Sequence, residues 1–331
     1  MKKTLKAAVA LSVLTAPAYA ANLENPLYMP KQNEMYSKTS VGAMYKVADD
    51  TTAMVKKEHD GATEFPIWRL HEELGYGITD RLEAYAKVGY THDDDIARKG
   101  MHQGRVGLKY RAFETTDGFA WDIYADAHLG GVSGMTGSYG LNSFTYDNYS
   151  NGRWGFHAGT QVGKTWSRFT GAAFFEVLQT FGNDNNEIDI SNSQLAPLAA
   201  MGMPMEISVD LKSTTEFNAG LKTFYQIDDR WSVGAGFTFK HHEDNGVEGL
   251  ATDIDMTNPV NASFVPGLLA TVKDMNDGFD EYIISLSGSY QLTDATQVTL
   301  YGEYTFDDAH QMSQNGTDVK AEIGARVNVV F

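Results

Sequence analysis

The last twelve residues of the chain alternate between apolar and polar side chains. Six apolar residues occupy every second position, with no charge among them: Ala321, Ile323, Ala325, Val327, Val329 and Phe331. Polar or charged residues of the opposite parity are Lys320, Glu322, Arg326 and Asn328. Because successive side chains of a β-strand point to opposite faces, this pattern predicts a strand with one wholly apolar face.

The first twenty residues have the pattern of a secretory signal peptide. Lys2, Lys3 and Lys6 form a positive region, residues 7–14 form a short apolar stretch, and Ala18-Tyr19-Ala20 has the small-x-small form of a cleavage site. We therefore expect cleavage after Ala20 and export of the remaining chain. No other segment contains about eighteen consecutive apolar residues, so the sequence predicts no membrane-spanning helix.

Composition excludes several classes of protein. Hydrophobic residues make up 42% of the chain, and the mean hydropathy is −0.33, which fits neither a helical membrane protein nor a disordered chain. There is no cysteine, so the fold must be stable without disulfides. The formal net charge of −17 argues against nucleic acid as a partner, because phosphate contact requires a basic surface.

Short and long connections alternate along the chain. Asp-containing tight turns are predicted within 75–82, 225–231 and 290–295, with two further short connections at 114–118 and 163–167. Long polar connections separate them at 49–64, 93–98, 132–151, 182–207, 243–278 and 308–317. These connections predict about twelve strands, within a range of roughly ten to fourteen. The expected strands are 36–47, 65–77, 81–92, 99–113, 119–131, 152–162, 168–181, 208–227, 230–242, 279–292, 296–307 and 318–331.

The signal peptide, the alternating strands, the Asp-containing turns and the terminal Val327-x-Val329-x-Phe331 resemble those of bacterial outer-membrane β-barrel proteins, porin-like at superfamily level. The resemblance implies an all-β, transmembrane antiparallel barrel over residues 36–331, with short periplasmic turns and long extracellular loops. It further implies that outer-membrane lipid and lipopolysaccharide surround the barrel, and that the barrel-assembly machinery recognises Val327, Val329 and Phe331. The segment 21–35 could lie in the periplasm or enter the lumen, and the oligomeric state stays open.

If the apolar parity faces lipid, the opposite parity lines a lumen that carries many charges. Candidates for setting solute selectivity are Arg69, Arg81, Lys87, Arg105, Lys109, Arg111, Asp122, Asp126, His128, Arg153, His157, Glu322 and Arg326. Either these charges pair and fill the lumen, or the basic residues form a cationic wall opposite Asp122 and Asp126 that orients charged solutes. Glu72 falls on the apolar parity, which a bulge or a rim position would explain.

A barrel of this size predicts a narrow, partly obstructed channel for passive uptake of small hydrophilic or charged solutes, without a cofactor. No metal site is expected, because the oxygen-rich segments 183–189 and 274–281 lack the spacing of a calcium loop.

A surface hydrolase is an alternative. The clusters at 92–95 and 307–310 resemble the Asp–Asp and Asp–His pairs of omptin-type proteases, whereas the Ser–His pairing of a lipid-modifying barrel enzyme is not evident. A structural or adhesive barrel with acidic loops is a third hypothesis.

Overall fold

The computed structural model describes residues 22–46, 67–93, 98–130, 135–139, 142–146, 153–189, 200–202, 206–243, 247–250, 254–274, 278–307 and 319–331. The predicted signal peptide and the predicted loops 49–64 and 308–317 lie outside the described residues. So do residues 94–95 and 308–310 of the two acidic clusters.

Twelve long strands form the wall of a barrel: β1 (Met35–Lys46), β2 (Ile67–Thr79), β3 (Leu82–Asp93), β4 (Arg98–Glu114), β5 (Phe119–His128), β8 (Gly155–Trp166), β9 (Phe169–Thr180), β12 (Thr214–Gln226), β13 (Trp231–His242), β15 (Phe279–Thr293), β16 (Thr296–Asp307) and β17 (Val319–Val330). Shorter elements extend beyond the wall: β6 (Met135–Tyr139), β7 (Asn142–Tyr146), β10 (Asn183–Asp189), β11 (Glu206–Leu211), β14 (Val247–Leu250) and the helix α1 (Pro259–Asp274).

The sheet closes on itself. Each wall strand pairs antiparallel with the next wall strand, and β1 pairs with β17 from Tyr36↔Val330 to Lys46↔Val319. Each of the twelve described wall strands is therefore paired along both edges, which lets its backbone hydrogen bonds form within the ring. The prediction of an all-β antiparallel barrel with twelve strands is confirmed. Within the described part of the chain, no helix has the length and apolar character needed to cross a bilayer.

Five short connections lie at one end of the barrel, which we call the turn end: residues 80–81, 115–118, 167–168, 227–230 and 294–295. Their aspartates act as expected for tight turns. Asp228 Oδ1 accepts hydrogen bonds from the backbone N–H groups of Arg230 (2.8 Å) and Trp231 (2.7 Å). These two bonds stabilise the ionised carboxylate and lower the pKa of Asp228.

The structure corrects two strand boundaries. The predicted strand 208–227 is two strands, because the chain leaves the wall between β11 and β12, and β11 pairs with β10 and β14 instead. The predicted turn at 163–167 lies at 167–168, since Gly163 to Trp166 continue the pairing of β8 with β9.

Sequence analysis also missed secondary structure in three long connections. They contain β6, β7, β10, β14 and α1. The strand β10 reads Asn-Asp-Asn-Asn-Glu-Ile-Asp, which has no apolar alternation to indicate a strand.

The two faces of the wall differ as the alternation predicts. On β4, Val106, Leu108 and Tyr110 point outward and are 43–51% exposed, whereas Asp122 and Asp126 on the inward face of β5 are at most 5% exposed. Exposed aromatic rings lie near many strand ends: Trp68, Tyr76, Tyr110, Phe113, Trp121, Trp154, Trp166, Phe169, Tyr225, Trp231, Tyr282 and Tyr304. Rings at these heights suit the two boundaries of an apolar band.

Glu72 breaks this pattern, and neither explanation offered from the sequence holds. It lies in the middle of β2 opposite Thr39 and Val88, with no register shift beside it, so it is neither in a bulge nor at a rim. On the outward face its carboxylate accepts hydrogen bonds from Ser37 Oγ (2.6 Å) and Thr39 Oγ1 (2.5 Å). Two hydroxyls of β1 therefore take the place of water around this group.

Candidate solute pathway in the barrel lumen

Acidic and basic residues pair directly across β4 and β5. Arg111 binds Asp122 through Nε (2.8 Å) and Nη2 (3.2 Å), and Arg105 binds Asp126 in the same two-pronged way (2.7 and 2.8 Å). Alternation places all four side chains on the inward face. The antiparallel register puts Arg111 directly opposite Asp122, whereas Arg105 reaches diagonally to Asp126, which lies opposite Gly107. Planar guanidinium–carboxylate pairs of this kind are rigid, so these charges are fixed in position.

A network of side chains continues from Asp126 across the neighbouring strands. Asp126 also accepts a hydrogen bond from Tyr85 OH (2.7 Å) and lies 2.8 Å from His157 Nδ1. Glu176 accepts a hydrogen bond from Tyr124 OH (2.6 Å), and His157 Nε2 is 3.5 Å away. We call the inward face of β3, β4, β5, β8 and β9 the charged wall.

A second ionic cluster lies where β1 and β2 meet β17. Glu73 contacts Lys38 Nζ (3.2 Å) and Lys87 Nζ (2.9 Å). Glu322 lies 3.7 Å from Arg69 and accepts a hydrogen bond from Tyr301 OH (2.9 Å). Most charges that the sequence placed in the lumen therefore have a partner of opposite sign.

The N-terminal segment, residues 22–34, lies inside the turn end of the barrel. The backbone carbonyls of Pro26, Leu27 and Tyr28 accept hydrogen bonds from Gln161 (2.6 Å), Arg111 (2.6 Å) and Lys109 (2.8 Å). Asn22 and Asn25 bond side chains of β12, β13, β16 and β9. The segment thus reaches both sides of the lumen and narrows it at this end.

Glu24 anchors the segment to β17. Its carboxylate accepts hydrogen bonds from Arg326 Nη1 (3.0 Å) and Asn328 Nδ2 (2.8 Å). Burial alone would raise the pKa of Glu24, but the positive Arg326 and the Asn328 amide outweigh it and hold the pKa below its ordinary value. The ionised form of Glu24 therefore stabilises the segment in place.

Above the N-terminal segment the lumen holds a polar cavity of about 520 Å³. The charged wall borders it on one side. On the other side it is lined by the small residues Gly234, Gly236, Ser285 and Ser287, and we call this inward face of β13 and β15 the small-residue wall. Open volume thus lies against the wall that has the shortest side chains.

The structure divides the predicted selectivity residues into three groups. Lys87, Arg105, Lys109, His157 and Arg326 line the cavity. Arg69, Arg111, Asp122, Asp126 and Glu322 point inward but are covered by their partners. The remaining three, Arg81, His128 and Arg153, lie away from the cavity.

Two of these residues lie just outside a strand, where the alternation of inward and outward side chains no longer places them on the lumen wall. Arg81 is exposed in the turn between β2 and β3, where the alternation of the strand has ended, so its predicted place on the lumen wall is wrong. Arg153 precedes β8 and donates to the carbonyl of Phe181 (3.0 Å) and to Thr214 Oγ1 (3.2 Å). It fastens the start of β8 to neighbouring strands.

Lys222 is a cavity-lining cation that the selectivity prediction left out. Its Nζ lies 4.4 Å from the ring centre of Phe174 and, among the described residues, forms no ion pair or hydrogen bond. The signal in the sequence is the single basic residue at inward parity of β12, a face that also carries Glu216, Asn218 and Gln226. Within the described residues, no cluster of three or more His, Asp or Glu side chains is arranged to hold a metal ion.

Comparison with known proteins supports the architecture. A crystal structure of an outer membrane channel from Pseudomonas putida F1 has a TM-score of 0.54 and 12% identity, covering 96% of this chain and 100% of that chain. A NanC porin structure has a TM-score of 0.44 and 10% identity, covering 88% of this chain and 98% of the porin. A mutant of the TodX monoaromatic hydrocarbon channel has a TM-score of 0.46 and 9% identity, covering 98% of this chain and 97% of the TodX chain.

No family model and no curated protein matches the sequence. At 12% identity, the similarity to the Pseudomonas channel shows a shared fold and nothing about a shared function. The chain has the fold of outer-membrane β-barrel proteins, as the sequence predicted.

Proposed function

We propose that the protein is an outer-membrane channel for passive uptake of small hydrophilic or charged solutes, with the turn end facing the periplasm. The observation that supports this function is the polar cavity of about 520 Å³ enclosed by a closed barrel. Its volume suits small solutes, and its polar lining would replace part of their hydration.

The arrangement of charges suits passage better than tight binding. Cavity-lining cations such as Lys87 and Arg105 already have carboxylate partners, at 2.9 and 2.7 Å. A solute would therefore meet oriented charges that are partly neutralised, which lets it enter and leave again. Lys222, across the cavity, adds a cation without such a partner among the described residues. We propose that solutes move along the small-residue wall and turn their polar groups toward the charged wall.

The N-terminal segment sets the narrowest section in this proposal. Its backbone carbonyls take up N–H donors of Gln161, Arg111 and Lys109 that would otherwise face the lumen. The channel is therefore narrow and partly obstructed at the periplasmic end.

Conductance across planar lipid bilayers tests the proposal. Refolded protein should give stepwise currents, and Arg105→Ala with Lys109→Ala should shift selectivity toward cations, because two positive groups leave the cavity lining. Val106→Ala is the matched control, since Val106 lies between them on the outward face of β4 and should leave selectivity unchanged.

Absence of stepwise current from folded wild-type protein would contradict a channel. Normal current with unchanged selectivity in the double variant would instead remove Arg105 and Lys109 from the selectivity mechanism. Heat-modifiable migration in gels shows whether each variant has folded.

A further inference from the structure

A groove of about 530 Å³ runs along the outward face of β12, β13, β15 and β16. Its floor is formed by the small residues Ala235, Gly288 and Gly302. Leu286 and Leu300 border it and are 62% and 66% exposed, among the most exposed apolar side chains of the described barrel. The outward surface is thus indented at these three small residues, between the exposed side chains of Leu286 and Leu300.

The two floor glycines are not required by packing inside the protein. A Cβ at Gly288 would have nothing within 4 Å, and one at Gly302 would lie 3.7 Å from the nearest atom, the Glu322 carbonyl oxygen. By contrast, a Cβ at inward-facing Gly236 would lie 2.5 Å from Ser285 Oγ. Glycine within a strand weakens it, and it is typical of places where another molecule approaches the backbone closely.

Two basic side chains lie at the turn end of the same side of the barrel, outside the groove itself. Arg168 and Arg230 are exposed in the turns that precede β9 and β13. Arg230 Nη1 donates to Tyr290 OH (3.1 Å), and Arg168 Nη1 donates to the Ile227 carbonyl (2.7 Å). Since a guanidinium has five N–H donors, each of these side chains retains donors for an anion.

Two acidic residues, Asp228 and Asp229, lie in the same turn as Arg230. Asp228 keeps its negative charge while its Oδ1 accepts two backbone N–H bonds, so an anion at Arg230 would have to compete with this carboxylate. The rings of Trp231 and Tyr290, with centroids 4.7 Å apart, separate the basic turns from the apolar groove. Aromatic rings of this kind are typical of the boundary between lipid head groups and acyl chains.

We propose that this surface binds a phospholipid of the periplasm-facing leaflet, with its phosphate at Arg168 and Arg230 and one acyl chain in the groove. The order of groups matches such a lipid: basic turns, then an aromatic boundary, then an apolar groove. A second copy of the chain is the alternative occupant of the groove, and the experiment below distinguishes it from a lipid. This site depends on the barrel spanning a membrane and is independent of whether the lumen conducts.

Native mass spectrometry of the folded full-length mature protein in detergent, titrated with a dioleoyl phosphatidylglycerol, tests the proposal. The double variant Gly288→Leu with Gly302→Leu fills the groove, at two positions where the protein leaves free space. It should weaken lipid retention about tenfold, because the acyl chain loses the burial of roughly two methylene groups. Arg168→Gln with Arg230→Gln should weaken it about threefold, because the exposed charges are partly screened.

Ala125→Leu is the matched control, since Ala125 faces outward on β5 away from the groove, and should retain lipid as the wild type does. Failure of the wild-type protein to retain lipid would overturn the proposal, as would equal retention by the glycine variant. A dimer that the glycine variant abolishes would also overturn it and would identify the groove as a self-association face. The arginine variant, which leaves all strands unchanged, keeps the test valid if the glycine variant folds poorly.

Discussion

The charged wall and the small-residue wall are built on opposite plans. In the charged wall, long side chains form fixed ion pairs such as Arg111 with Asp122, and they occupy the space in front of the sheet. In the small-residue wall, neutral side chains such as Ser287 leave that space open, and β15 has glycine on its outward side at Gly288 as well. Strands with the same backbone geometry thus form a rigid charged surface on one side of the lumen. On the opposite side of the lumen they leave room for the cavity.

The largest expected difference between the walls is in stability. Arg111→Leu should lower the free energy of unfolding by about 3–5 kcal/mol, because Asp122 is fully buried and would lose its main partner. Ser289→Ala in the small-residue wall removes only a neutral hydrogen bond to Thr299 (2.9 Å) and should cost about 1 kcal/mol. Denaturant unfolding from lipid vesicles measures both values.

The double variant Arg111→Leu with Asp122→Leu serves as the control and should recover part of the lost stability, because the buried carboxylate is removed together with its main partner. Recovery should be incomplete, since Lys109 Nζ, 3.6 Å from Asp122, loses this carboxylate as well. Equal costs for the two single variants would show that the walls do not differ in this way.

Removal of the N-terminal segment tests how it connects the two walls. A protein that begins at Gln32 should have a single-channel conductance roughly threefold higher or more, because the narrowest section of the pore limits current. Its control is the protein that begins at Asn22 and retains all contacts of the segment. Unchanged conductance with normal folding would place the limiting section elsewhere in the lumen.

A bulky residue on the small-residue wall should close the proposed path. Ser287→Trp places a large ring beside the cavity and should reduce conductance by about half or more, since permeation depends on the open cross-section. Leu286→Trp, on the outward face of the same strand, should leave conductance unchanged. Similar currents in both variants would mean that solutes do not pass along this wall.

The smallest expected effect depends on pH and concerns Glu24. Since its pKa is lowered in the folded protein, its stabilising effect is complete above the ordinary glutamate pKa of about 4.3 and is lost as pH falls below that value. Conductance should therefore rise modestly under acidic conditions on the side of the turn end. Glu24→Gln should show the raised conductance at neutral pH and little further change on acidification, whereas a pH response equal to wild type would contradict this role.

The architecture could be predicted from the sequence because each wall strand alternates apolar and polar residues. In the barrel the apolar residues face outward and the polar residues face the lumen. Four of the five turns contain Asp or Gly, and these turns gave the connectivity for the same local reason, whereas the fifth is Ser167-Arg168. The strand β10 could not be predicted, because it is stabilised by pairing with β7 and β11 and not by burial of an apolar face.

The site was harder to predict than the fold. Parity placed Arg105 and Asp126 on the inward face, but their pairing depends on the register between two strands, which alternation does not determine. The position of the N-terminal segment depends on separate hydrogen bonds to many strands, such as that from Lys109 to Tyr28, and leaves no local pattern in residues 22–34. Lys222 became prominent only when the cavity showed which cations border open space.

The environment of Glu72 has a consequence for the order of assembly. A lone β2 would carry this carboxyl into hydrocarbon without Ser37 and Thr39, at a cost of roughly 2 kcal/mol or more. Pairing with β1 supplies both donors, so the carboxylate enters hydrocarbon at lower cost when β1 and β2 are already paired. The same β1 also pairs with β17, so the strand that shields Glu72 on one edge closes the barrel on the other.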